Sequence, residues 1–409
     1  MGVREDAKRI WQQAIAAVQP DSAVKRALEN AQFPGAVHLV AIGKAAWSMA
    51  NAAHAALGGK IADGVVITKY GHSQGPIGNL QIFEAAHPVP DENSYRATRA
   101  AMELVRPLGE SDTALFLVSG GGSALFECPL VSEDEMADIT RQLLASGADI
   151  VEMNTIRKRL SAVKGGRFAE LASPAKVFSV VLSDIIGDPL DMIASGPAYP
   201  DGSTCDEALE IVKKYGLRLS DAAMACLKQE TPKTLSNVET HITGSVRELC
   251  IAAQKEAERL GYRCTLLTDR LCCQAKEAGS FLASIAATHQ DTKTPLAFLA
   301  GGETVVKLMG KGLGGRNQEL ALAAAPGISG LSDTAIFSVG SDGTDGPTDA
   351  AGGCVDGETE EKLSSFGISV SGVLQDNDAY HALEKTGGLI ITGPTGTNVN
   401  DFAMVLIKR

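Results

Sequence analysis

Short apolar runs alternate along the chain with segments in which apolar residues return every third or fourth position. In the first such segment, residues 4–18, Ile10, Ala14, Ile15 and Val18 share one helical face, which predicts an amphipathic helix able to pack on either half of the molecule. Runs at 37–42, 65–68, 114–118 and 177–182 read as buried strands, with helical patterns beginning after 45 and after 133. Alternation of this kind predicts βα units and a mostly parallel sheet.

The polar, proline-containing stretch QETPKTLSNV, residues 229–238, interrupts the alternation, which then restarts. A helix is expected at 246–260, a strand at 264–267, a helix at 274–289, and further strands at 296–299, 303–309, 335–339, 389–391 and 402–407. The expected fold class is therefore α/β, with two α/β domains of mostly parallel sheets: a Rossmann-like domain over 1–236 and a second domain over 237–409. Open α/β sheets bind ligands beyond the carboxyl ends of their strands, so the active site is expected in the interdomain cleft.

Composition narrows the function classes. A chain of 409 residues, 44% hydrophobic and 21% charged, has ample core for two domains. Its net charge of −12 argues against nucleic acid or an anionic membrane as partner, whereas a small anion needs only a local cluster of cations and N–H groups. The eight cysteines lack C-x-x-C spacing and read as reduced thiols. The charged start MGVREDAKRIW lacks a signal-peptide core, and no apolar stretch reaches membrane-spanning length, so a cytoplasmic location is expected.

The strongest local signal is LFLVSGGGSAL, where an apolar run enters Ser119, Gly120, Gly121, Gly122 and Ser123 before helix-compatible residues. Such a turn brings backbone N–H groups against an anion at a helix start; the plainer alternative is a tight βα connection. A second turn places Lys44 beside Gly43, where its ammonium can meet a carboxylate or a phosphoryl group, although a lysine in such a place is commonly just solvated. The segment MNTIRKRLSAVKGGR gathers Asn154, Arg157, Lys158, Arg159, Lys164 and Arg167; a solvated face accounts best for Arg159, while Asn154, Arg157, Lys158 and Lys164 are the substrate-binding candidates. In GKGLGGRNQELALA the formal G-x-G-x-x-G of Gly310, Gly312 and Gly315 is a weak dinucleotide signal, and Arg316 offers a planar donor fork for an anion.

Carboxylates gather in LSDIIGDPLDMIASGP, with Asp184, Asp188 and Asp191, and in GSDGTDGPTDAAG, with Asp342, Asp345 and Asp349. Hard oxygens at strand ends suit Mg²⁺ beside a nucleotide, and Asp184 and Asp188 are the metal candidates; Asp-rich turns also arise from local hydrogen bonding alone. His72 in KYGHS and His87 in AHPVPD are the histidines in motif-like surroundings. Neither a G-x-x-x-x-G-K-[ST] loop nor a G-x-S-x-G elbow is present, which excludes a P-loop kinase and removes support for acyl transfer.

Taken in order, AIGKAA, TKYGH, HPVPDE, SGGGSAL, MNTIRKRLSAVKGGR, LSDIIGDPLDMIASGP, GGRNQELAL and GSDGTDGPTDAAGG span nearly the whole chain, which resembles the glycerate 2-kinase family with its MOFRL-type C-terminal domain. The resemblance implies transfer of the γ-phosphoryl of ATP, with Mg²⁺, to the 2-hydroxyl of D-glycerate, and assigns Lys44 and Arg316 as catalytic. It leaves the oligomeric state open, a homodimer among the options. Cys128, Pro189 and Tyr199 depart from the family pattern beside the motifs. The rival activities are an NAD(P)H-dependent hydroxypyruvate reductase, a label the family also carries, and a non-catalytic sugar-phosphate sensor.

Overall fold

The computed structural model describes residues 2–409 and divides into two compact units, one formed by Val24–Leu182 and Asp188–Thr243, the other by the chain up to Ala23, Ser183–Gly187 and Gly244–Arg409. Strands β1 (Val37–Ile42), β2 (Ile61–Lys69), β3 (Gln81–Ala85), β4 (Thr113–Val118), β5 (Lys176–Leu182) and β6 (Val238–Gly244) form the first sheet, in the order β3-β2-β1-β4-β5-β6. Every neighbour runs parallel: β1 pairs in register with β2 and β4, and ascending bonds from Val177 N–H to Asn237 O and from Ser183 N–H to Gly244 O set β6 beside β5. β4 is apolar after Thr113 and buried along its whole length, as suits a strand covered on both faces. This order is that of a doubly wound sheet, in which the direction of winding reverses between β1 and β4.

The second sheet holds β7 (Arg263–Leu271), β8 (Leu296–Gly302), β9 (Thr334–Gly340), β10 (Gly352–Asp356), β11 (Leu389–Ile390) and β12 (Asp401–Ile407), in the order β11-β10-β9-β12-β8-β7. The expectation of a mostly parallel sheet fails here. Only β7 and β8 are parallel, and β12 inserts antiparallel to both β8 and β9. The connections explain this: β9 reaches β10 through a loop at 341–351 with no helix, too short for the crossover that parallel neighbours need.

The helix Val3–Ala17 joins this second unit, where Ile10, Ala14, Ile15 and Val18 are buried with Leu249, Phe337 and Phe402. Residues 303–309, read from sequence as a strand, leave the sheet after Gly302 and carry exposed Val305, Leu308 and Met309. The basic segment at 153–167 is not one helix: the helix Ile150–Arg159 ends within it, and Gly165 and Gly166 then take φ of 58° and 86° and turn the chain into the helix Arg167–Ala172. The eight cysteines are unpaired. Among the described residues no helix is long and apolar enough to cross a membrane.

Candidate active site

At the winding reversal of the first sheet, the turns after β1 and β4 are bonded to each other. Lys44 N–H donates to Gly120 O at 2.9 Å, Ala45 N–H to Ser119 Oγ at 3.0 Å, and Ser119 Oγ–H to Ile42 O at 3.1 Å. Gly43 has φ 108°, and a Cβ there would lie 2.3 Å from both Ser119 O and Oγ, so only glycine lets the two turns close. Gly121, at φ 85°, reverses the chain into the short helix Gly122–Leu125. Among the described residues, none accepts a hydrogen bond from the N–H groups of Gly120, Gly121, Gly122 or Ser123. Consecutive unclaimed N–H groups in such a turn form an anion-binding concavity.

The basic residues of 154–164 support this turn from behind. Lys164 is fully buried; its Nζ donates to Ser123 O at 2.8 Å and to Phe126 O at 3.1 Å and stands 3.5 Å from Glu127 Oε2. Burial, with Arg157 adding to it, pushes the Lys164 ammonium down to about 8 despite the opposing pull of Glu127. Arg157 Nη2 also reaches Ser123 O, at 3.3 Å, and lies 3.8 Å from Glu127. Asn154 connects through Ser195, whose Oγ donates to Asn154 Oδ1 at 3.1 Å and lies 3.2 Å from Ser123 Oγ. Lys158 instead pairs with Asp201 at 3.1 Å and Asp191 at 3.4 Å, and Arg159 is buried against Asp201, Ser203 and Glu230, far from the solvated face its charge suggests.

In the second unit Arg316 opens the helix Arg316–Ala324. Its Nε and Nη2 donate to the two carboxylate oxygens of Asp401 at 2.5 and 3.1 Å, and its Nη1 to Glu303 Oε1 at 2.7 Å. Asp345 caps the same helix, accepting from Asn317 N–H at 3.1 Å and Gln318 N–H at 2.8 Å, and a Cβ on Gly315 would lie 2.2 Å from its Cγ. Burial pushes Asp401 up to about 6, and its bonds to Arg316 only partly counter this. Asn400 Nδ2 donates to Glu303 Oε2 and to the backbone oxygen of Asp184, both at 3.2 Å.

The formal G-x-G-x-x-G lies in this unit, and the N–H groups of its first four residues are already engaged. Met309 and Gly310 N–H bond Asn377 Oδ1, Lys311 N–H bonds Asp376 Oδ1, Gly312 N–H bonds Asp376 O, and Leu313 N–H bonds Asp378 Oδ1. A pyrophosphate would compete with three residues for every one of these groups, which counts against the dinucleotide reading.

Two family models match the chain, one described as a domain of unknown function (DUF4147) over residues 6–228 and the MOFRL family over residues 296–401. A D-glycerate 2-kinase of Thermotoga maritima is 54% identical over 404 residues, 97% of this chain and 97% of its own. A glycerate 2-kinase of Pyrococcus horikoshii is 38% identical over 100% of this chain and 98% of its own. The crystal structure of glycerate kinase from Thermotoga maritima matches with a TM-score of 0.94 at 53% identity, covering 98% of this chain and 99% of that one. The chain belongs to the glycerate 2-kinase family.

In this member of the glycerate 2-kinase family, several groups around the candidate residues carry no signal in their own sequence neighbourhood. Asp401, Glu303 and Asn400 surround Arg316 from distant strands and loops, and Glu127 lies beneath the glycine turn. His87, at the end of β3, packs beside Gly121, where a Cβ would lie 3.0 Å from its Cδ2 and 3.3 Å from Lys44 Cε. Asp188 has a buried Oδ1 with no hydrogen-bond partner among the described residues. No cluster of three or more His, Cys, Asp or Glu side chains among the described residues is arranged as a complete metal site.

Proposed function

We propose that the protein is a D-glycerate 2-kinase that transfers the γ-phosphoryl of ATP to the 2-hydroxyl of D-glycerate, giving 2-phosphoglycerate and ADP. The observation that carries this reading is the row of unclaimed N–H groups at Gly120–Ser123, bonded to the Lys44 turn at the reversal point of a doubly wound sheet. Phosphoryl transfer asks chiefly for positioning and charge neutralisation, and this arrangement supplies both.

In this reading the Ser119–Ser123 turn cradles phosphate oxygens and Lys44 neutralises charge on the phosphoryl group in flight. Arg316, held by Asp401 and Glu303, presents its remaining N–H groups to an anionic oxygen of a substrate. Arg157 and Lys164 act on substrate through the Ser123 segment they contact, Asn154 through Ser195, and Lys158 through the loop that carries Asp191. The orphaned Asp188 oxygen fits a hard divalent cation. Mg²⁺, when bound, neutralises phosphate charge.

The experiment is an assay coupled to ADP release with purified protein, ATP, Mg²⁺ and D-glycerate, the product read by phosphorus NMR. A resonance coupled to the C2 proton is expected. Absence of ADP across a panel of hydroxy acids, or phosphorylation at C3, refutes the assignment.

A further inference from the structure

Of the groups gathered at the carboxyl ends of the first sheet's strands, His87 flanks the phosphate turn itself and has no part in the reading above. It follows β3, while Lys69 ends β2, His72 lies in the next turn, Lys44 follows β1, and the glycine turn follows β4. Adjacent strands therefore place all of these at one edge of the sheet. At Gly121 a Cβ would lie 3.1 Å from His87 Nε2 and 3.3 Å from Lys44 Cε, so the imidazole edge and the lysine's last carbons flank the same glycine of the phosphate turn. His72 is already engaged, its Nδ1 lying 3.1 Å from Lys44 O. Neither ring nitrogen of His87 has a hydrogen-bond partner among the described residues, although the ring is half-buried.

We propose that His87 is a catalytic residue, the general base that accepts the proton of the glycerate 2-hydroxyl as that oxygen attacks the phosphoryl group held at Gly120–Ser123. The proposal rests on the kinase reading above. In the step, the O–H proton passes to a ring nitrogen of His87 and the hydroxyl oxygen's electron pair forms the new bond to the γ-phosphorus. The bond from that phosphorus to the β,γ-bridging oxygen breaks, its pair leaving on ADP, and the imidazolium later releases its proton to solvent. Lys44 cannot fill this role while its ammonium neutralises the phosphoryl group.

The surroundings suit a base. Burial, then the charges of Lys44, Lys69 and His72, hold His87 below the ordinary histidine range, so a lone pair is available at neutral pH. The groups facing it are cationic from the ends of both β1 and β2, with no carboxylate bonded to it. An arriving phosphate offsets those cations and raises the ring's proton affinity when a proton is to be taken, which matches the requirement for general-base catalysis.

The test compares His87→Gln and His87→Ala with the parent enzyme. kcat/KM is expected to fall at least about 100-fold, within the range that a positioned base supplies. The acid limb of its pH profile should lose the slope of one proton, and imidazole should restore part of the His87→Ala rate. MgADP affinity, measured by calorimetry, should stay within about threefold, which also confirms that each variant is folded. A His87→Gln rate within threefold of the parent, or an unchanged acid limb, overturns the proposal. A loss of MgADP affinity equal to the loss of kcat/KM also overturns it, making His87 an anion contact instead. Failure of the kinase reading itself would show separately, as no ADP release by the parent enzyme from MgATP and D-glycerate.

Discussion

Lys164 is the residue whose replacement tests most directly whether stability has been given up to build the phosphate turn. Its ordinary ammonium value of 10.5 falls to about 8 in the fold. A displacement of that size corresponds to roughly 3 kcal/mol of cost in keeping the charge buried at neutral pH. The sign follows from proton counting: between pH 8 and 10.5 the unfolded chain binds more protons at this site than the folded one, so stability should rise with pH across that window. Lys164→Met removes the cost but leaves the Glu127 carboxylate buried, with Arg157 at 3.8 Å as its remaining cation, and stranding one partner of a buried pair typically costs about 3–5 kcal/mol. The single variant should therefore be no more stable than the parent. In the double variant Lys164→Met/Glu127→Gln no charge of the pair remains, and a gain of about 1–4 kcal/mol is expected. Both variants lose the bonds to Ser123 O and Phe126 O that set the turn, so kcat/KM should drop at least about tenfold in each. Urea unfolding at pH 7 and 9.5, followed by Trp47 fluorescence in a Trp11→Phe background, reports on the unit that carries Lys164, because the protein's two tryptophans lie in different units. A double variant less stable than the parent by more than about 1 kcal/mol, or a parent whose stability is flat between the two pH values, would refute the reasoning.

Gly121→Ala forces a Cβ to within 3.1 Å of the His87 ring at φ 85°; a cost of roughly 1–2 kcal/mol to folding and a loss of turnover of at least about tenfold are expected, seen by thermal unfolding and the ADP-coupled assay. Asp401→Asn weakens the fork that orients Arg316, so kcat should fall. Because burial raises Asp401 to about 6, its carboxylate costs the fold stability that is lost as pH rises from its ordinary 3.8 through 6; the asparagine variant should show a flatter stability profile over that range in urea titrations. Chelation of Mg²⁺ should abolish ADP release, and Asp188→Asn should raise the Mg²⁺ concentration for half-maximal rate several-fold without changing the fold by circular dichroism; an unchanged Mg²⁺ dependence would remove Asp188 from the metal's surroundings.

The parts of the fold legible in the sequence are those set locally. β1, β2, β4 and β5 are strongly apolar, and helices such as Val246–Arg259 keep their period. β3 and β6 escaped because edge strands are only partly buried and need few apolar residues. β10 begins with two glycines that resemble a loop. Residues 303–309 misled in the opposite direction, being apolar yet exposed. Strand direction in the second sheet was beyond reach, since apolar pattern does not distinguish parallel from antiparallel neighbours. The same division runs through the site. The turns at Lys44 and Ser119–Ser123 are visible because glycine chemistry is local, whereas the contact of Arg316 with Asp401 spans 85 positions and is created by β12 alone.

The position of β12 carries a consequence for synthesis. It separates β8 from β9, both of which leave the ribosome before it does. Until residues 401–407 emerge, those two strands have a vacant lane between them and expose two unpaired edges, the kind of surface that chaperones shield and that neighbouring nascent chains can capture. Because the same strand delivers Asp401, the arginine fork is assembled only when that lane is filled, and a chain stalled earlier would have neither the sheet nor the fork.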